Sequence, residues 1–235
     1  MRRPGGGDLT PGPDRSEAAR TDQDLRREVI RRGLGIAVAV GTYGLSFGAA
    51  ATTAGLSVTQ ACALSLLVFT GASQFALVGV LGAGGSAVAG VATALLLGSR
   101  NALYAVALTG LIPMSRSRRL LAAQVTIDES TAVATTSPLP FAGLGFWTAG
   151  LGVYVFWNLS TLIGAVGAAT VDTHALGLDA AVGAAFLGLL WPRLKDAPRL
   201  AVGGALVAAA AVPLAPAGVP VLLAGLAVVP VLMRR

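Results

Sequence analysis

Residues 33–99 contain no Asp, Glu, Lys or Arg. A stretch that long without a charge cannot cover a domain in water. A spanning helix needs about 20 mainly apolar residues, so it has room for more than one. The rest of the composition agrees. Charged residues make up 12% of the chain, against roughly 25% in soluble proteins, and 14 of the 28 charges fall within residues 1–32. Apolar segments lie near 33–53, 58–83, 86–112, 119–137, 143–168, 178–192, 199–213 and 217–233. The expected fold is all-α: a polytopic integral membrane protein with about six to eight transmembrane helices, some of them interrupted. Gly and Ala abound, and Gly44 and Gly48 form a small-xxx-small pair that predicts close helix packing.

Residues 1–32 read as a disordered cytoplasmic tail of mixed charge, ending in a juxtamembrane helix start at 25–32, and residues 33–235 as a single transmembrane domain. Four arginines in LRREVIRR place the N-terminus in the cytoplasm of a multi-pass protein of the cell membrane. The other basic clusters are SRSRR at 115–119, PRLKDAPR at 192–199 and the final Arg234-Arg235. Eight single crossings would leave 115–119 outside. Re-entrant hairpins at 58–83 and 178–192 would remove that violation and make one half the inverse of the other. GLSVTQACALSLLVF at 55–69 and GLDAAVGAAFLGLL at 177–190 are alike enough to suggest such an inverted repeat. Trp147 and Trp191 lie near segment ends, as interfacial anchors do. Cys62 reads as a small core residue.

Three places break the apolar runs with polar groups. At 70–75, Thr70, Gly71, Ser73, Gln74 and Phe75 interrupt a segment otherwise fit to span. Unwound backbone is tolerated at membrane depth where it lines a cavity or lies inside protein. Gly98-Ser99-Arg100-Asn101 comes next, with Tyr104 one turn beyond Arg100. An arginine at the centre of a span costs roughly 2.5–3.5 kcal/mol on insertion scales, so it needs a partner or a cavity. The third place is TIDEST at 126–131. Asp128 and Glu129 point about 100° apart on a helix, so they cannot both face one partner. A carboxylate at membrane depth is a natural proton carrier or ion-pair member.

Nothing in the chain reads as an enzyme. His174 is the sole histidine, no metal-spaced cluster or Walker A lysine is present, and no cofactor is expected. The basic residues flank apolar segments instead of forming a phosphate-binding face, so nucleic acid is not an expected partner.

The order GTYGLSFGAAATTAGLS, VFTGASQFALVGVL, GSRNALYAVAL and SRRLLAAQVTIDE resembles the AzlC family, branched-chain amino acid permeases associated with azaleucine resistance. The likeness runs from about Gly41 into 177–190, and residues 71–75 are its most specific part. Gly98 and Asn101 stand where the family carries Asn and His, which removes the histidine that a His-based proton step would need. The resemblance implies a secondary transporter that exports branched-chain amino acids, coupled to a proton gradient, with a small AzlD-like membrane subunit as partner. Gly71, Ser73, Gln74, Phe75, Arg100, Asn101 and Tyr104 are then the candidate substrate residues, with Phe69 and Phe75 as the apolar pocket. Asp128 and Glu129 are candidates for proton coupling or ion pairing. Arg100 either meets the substrate carboxylate or holds one of those acids. The competing reading is a non-transporting membrane scaffold or regulatory subunit, whose buried charges are assembly contacts.

Overall fold

The computed structural model describes residues 15–170, 191 and 194–226. Every regular element among them is helical: α1 Arg15–Gly41, α2 Tyr43–Thr53, α3 Val58–Val68, α4 Ala72–Gly82, α5 Ala87–Gly98, α6 Arg100–Leu111, α7 Arg116–Gln124, α8 Asp128–Thr136, a 3-10 turn Leu139–Phe141, α9 Ala142–Thr170, α10 Pro198–Ala211 and α11 Val219–Leu226. Among the described residues, three stretches are long and apolar enough to cross a membrane: Ala19–Thr53, Ala87–Leu111 and Leu139–Thr170. The most apolar window of Ala87–Leu111 is only 11% buried. A face that bare, carrying Val88, Leu95, Leu103 and Val106, fits a lipid solvent better than water.

Local sequence explains several helix ends. Ser57 and Gln60 form a reciprocal capping box at the start of α3, with Gln60 N–H donating to Ser57 Oγ at 3.2 Å and Ser57 N–H donating to Gln60 Oε1 at 2.8 Å. Ser86 caps α5 through Ala89 N–H. Only Thr42 separates α1 from α2, and its hydroxyl donates to Ala39 O at 2.7 Å.

The α9 helix is the central post. α1 and α2 run along it, and α3 and α8 pack on it as well. The seam is built from glycines. A Cβ on Gly44 would stand 2.4 Å from Trp157 O, one on Gly48 2.1 Å from Thr161 O, and one on Gly164 2.0 Å from Leu45 O. The small-xxx-small pair therefore places backbone directly on backbone. Beside the seam, Phe47, Phe75, Val78, Val153 and Trp157 form the main core. Phe47 stacks on Trp157 with ring centroids 6.1 Å apart. Trp157 is 2% exposed, whereas Trp191 is 54% exposed and carries Lys195 Nζ 5.5 Å from its ring centroid.

Two expectations are corrected by the helix bounds, and a third is matched. Helix α1 begins at Arg15, inside the segment 1–32 expected to be disordered before residue 25, and it passes the proposed domain boundary at 32/33 without a break. Between Pro13 and Gly33 there is neither Pro nor Gly. The intervening Glu, Ala, Arg, Gln and Leu residues are good helix formers. Segment 119–137 is not one helix but two of nine residues, α7 and α8. Ser130 holds the division open, its hydroxyl donating to Val125 O at 2.7 Å while accepting from Ile127 N–H at 3.1 Å. Segment 58–83 is broken at its polar residues, as the sequence suggested, into two helices of 11 residues, each about 17 Å long and so shorter than the roughly 30 Å apolar core of a bilayer. The second half of the suggested repeat, 177–190, lies outside the described residues, as does His174.

Candidate functional site

Two discontinuities in the backbone organise the site. The first separates α3 from α4 at residues 69–71. Gly71 has φ +61° and ψ −95°, a region that side-chain-bearing residues avoid. The exposed helix ends are satisfied by amides. Gln74, fully buried, accepts at Oε1 from Gly71 N–H at 3.1 Å and from Thr70 N–H at 3.4 Å, and donates through Nε2 to Leu64 O at 3.1 Å. One side chain thus binds the end of α3 to the start of α4. Two further residues reach the end of α3: Gln124 Nε2 donates to Leu66 O at 2.8 Å and Tyr154 OH to the same oxygen at 3.2 Å. Sequence reasoning missed both. Gln124 is the last residue of α7 and Tyr154 a hydroxyl on the apolar α9, which were the available signals.

The second discontinuity lies at Ser99, between α5 and α6. Ser99 keeps right-handed helical angles, so the chain continues in one direction through Ala87–Leu111. The Ser99 hydroxyl donates to Leu96 O at 2.7 Å and Arg100 Nη1 to Leu97 O at 3.1 Å. Both carbonyls belong to the last turn of α5.

Arg100 then forms a two-point bond with Asp128: Nη2 to Oδ2 at 2.9 Å and Nε to Oδ1 at 3.2 Å. Tyr104, four residues along and so on the same face of α6, donates to Asp128 Oδ1 at 2.5 Å. Asp128 is the first residue of α8, where the helix dipole favours a negative charge. The side chains of Arg100 and Asp128 are 24% and 13% exposed, so the pair is largely withdrawn from solvent. Glu129 is half-buried and is not without an interaction partner.

The structure therefore brings Arg100, Tyr104 and Asp128 into one unit and Gly71 and Gln74 into another. Phe75 lies in the aromatic core, edge-on to Phe47 at 5.6 Å and to Trp157 at 6.2 Å. Phe69 packs edge-on against Tyr154 at 4.9 Å. Among the described residues, several buried polar atoms at or beside the two discontinuities have no hydrogen-bond partner: Thr70 Oγ1, Ser73 Oγ, Asn101 Oδ1 and Thr131 Oγ1. An unsatisfied buried polar group costs about 1–3 kcal/mol. Further along α6, Ala105, Leu108, Thr109, Ile112, Arg119 and Phe146 line a separate cavity of about 140 Å³. No group of three or more His, Cys, Asp or Glu among the described residues is arranged to hold a metal ion.

No curated protein and no solved structure matches the chain. A family-wide sequence model, AzlC protein, matches residues 35–171, which covers α2 to α9, both discontinuities and every residue of the Arg100–Tyr104–Asp128 unit. More than half of the chain falls within that match, and the chain belongs to the AzlC family.

Proposed function

We propose that this protein is a secondary transporter of the cytoplasmic membrane that exports branched-chain amino acids, driven by a proton gradient. Membership of the AzlC family and the long apolar helices indicate a membrane-embedded, transport-related protein. The observation that carries the finer reading is the Arg100–Asp128 pair with Tyr104, held at the middle of an apolar stretch and beside helix breaks with unpartnered polar atoms. Ionisable groups at that depth mark substrate and proton paths. Half-helices that end inside the membrane are where transporters build their sites.

In this reading Asp128 is the coupling carboxylate. Protonation removes its charge and loosens its hold on Arg100 and Tyr104, and that change is the switch between inward-facing and outward-facing forms. The N-terminus is cytoplasmic, and a small AzlD-like membrane subunit covers part of the exposed apolar surface. The test is efflux of preloaded labelled leucine and valine from cells making this chain, with and without such a subunit. Saturable efflux that collapses when the proton gradient is dissipated supports the proposal. Folded protein in the membrane with no efflux in either case overturns it.

A further inference from the structure

We propose that the cavity between α6, α7 and the start of α9 binds an anionic phospholipid, with its phosphate held by the arginines of α7 and part of its hydrocarbon seated in the cavity. The site is independent of the transport reading above and needs only that the chain lies in a membrane.

Helix α7 changes polarity along its length. Its sequence RSRRLLAAQ puts Arg116, Arg118 and Arg119 ahead of Leu120 and Leu121. Of its nine residues only Ala122 is buried. All three arginines are exposed, and Leu120 and Leu121 are 79% and 68% exposed. A helix with so little protein around it, charged at one end and apolar beyond, suits the boundary between headgroups and hydrocarbon. The arginines do not steady the helix. They occupy its first turn, where the dipole favours acids, and that turn holds none. They also lack counter-charges in the protein. No Asp or Glu occurs between Glu28 and Asp128, and among the described residues none of the three forms an ion pair.

The cavity lies against this helix. Arg119 is one of its walls, together with Leu108, Ile112, Met114, Ala122 and Phe146, and it holds about 140 Å³. Among the described residues Arg119 is the only charged group in the lining. Two threonines also face it, but each hydroxyl donates to the carbonyl four residues back, Thr109 to Ala105 O at 2.8 Å and Thr126 to Ala122 O at 2.7 Å. The wall is thus mostly hydrocarbon with a single cation. An apolar cavity of about this volume accepts a group the size of benzene, which is room for a segment of acyl chain. Arginine can lay its stem on apolar surface and keep its guanidinium at the wet edge, where its N–H fork pairs with phosphate. An anion joined to a hydrocarbon tail complements such a site, and in a bilayer that is an anionic phospholipid.

The test is a thermal-unfolding titration of the full chain in neutral detergent. Phosphatidylglycerol is added in one series, phosphatidylcholine in a second and inorganic phosphate in a third. A saturable rise in the midpoint is expected with phosphatidylglycerol alone. Arg119→Gln should weaken the apparent affinity about fivefold, the share of one arginine facing anionic lipid. Ala105→Leu and Thr109→Leu each fill the cavity from an exposed position and leave every arginine in place. They should weaken the affinity as well. The double variant Arg31→Gln, Arg32→Gln removes exposed charge from α1 instead and should respond as wild type does. Equal shifts with phosphatidylcholine, or a response reproduced by inorganic phosphate, overturn the proposal. So does unchanged affinity in Arg119→Gln or in the cavity-filling variants, or a loss in the α1 variant as large as that in Arg119→Gln.

Discussion

Gly48 and Thr161 meet so closely that the carbonyl oxygen of Thr161 occupies the place where a Cβ on Gly48 would go, 2.1 Å away. The neighbouring obstacle is also backbone, Ala165 N at 2.6 Å. Neither can swing aside as a side chain would. Gly48→Ala should therefore force α2 off α9 and cost more than the roughly 1–3 kcal/mol of ordinary overpacking. Gly35→Ala is the control, because a Cβ there meets nothing within 4 Å. Size-exclusion profiles of detergent-solubilised protein should show a monodisperse peak for Gly35→Ala and little or none for Gly48→Ala. Equal profiles would mean that the seam is not as tight as described.

Breaking the Arg100–Asp128 pair from either side leaves a charge without its partner. Arg100→Gln and Asp128→Asn should each lower stability by up to about 3 kcal/mol, toward the low end of buried pairs because both side chains keep some exposure. The double variant should recover much of that loss, since no lone charge remains. A thermal-unfolding cycle over the four proteins checks this. Purely additive losses would argue that the two residues act separately. For transport, Asp128→Asn should abolish the dependence of leucine efflux on the proton gradient even where some flux remains.

Tyr104→Phe keeps the ring and removes only the hydroxyl that reaches Asp128 Oδ1. A hydrogen bond to a charged group contributes about 1.5–3 kcal/mol, and this half-buried one belongs at the lower end. The variant should fold, melt a few degrees below wild type, and show altered pH dependence of efflux. An unchanged pH profile would remove Tyr104 from the proton path.

The two glutamines at the α3 end should respond differently. Gln74→Leu strips Thr70 N–H and Gly71 N–H of their partner and removes a second bond to Leu64 O, and should destabilise by about 2 kcal/mol or more. Gln124→Leu leaves Leu66 O still bonded to Tyr154, so its loss should stay within about 1 kcal/mol. Proteolysis at residues 69–71 offers a second readout, expected to rise for Gln74→Leu only.

Much of this architecture was legible in the chain. The charge-free run from residue 33 to 99 required helices in lipid, and Gly71 among Thr70, Ser73 and Gln74 marked a break that the structure places between α3 and α4. Other features were not legible, for identifiable reasons. Asp128 and Glu129 are adjacent, and which one meets Arg100 depends on where α8 begins, a boundary set by the Ser130 hydroxyl and not by hydrophobic pattern. Tyr154 and Gln124 act on Leu66, 88 and 58 residues away in sequence, and no local periodicity encodes such a pairing. Trp157 lay inside an apolar run that says nothing of which face it takes, and its place in the core follows from the glycines that draw α2 against α9.

The closed pair of Arg100 and Asp128 has an electrical consequence. With both groups ionised its net charge is zero, so the membrane voltage exerts no net pull on it. A proton on Asp128 leaves the lone positive charge of Arg100. Carrying one such charge across the whole field is worth about 2.3 kcal/mol per 100 mV. Under the transport mechanism proposed above, the proton that loosens the pair would also give the voltage something to push on, so the chemical and electrical parts of the gradient would act through the same two side chains.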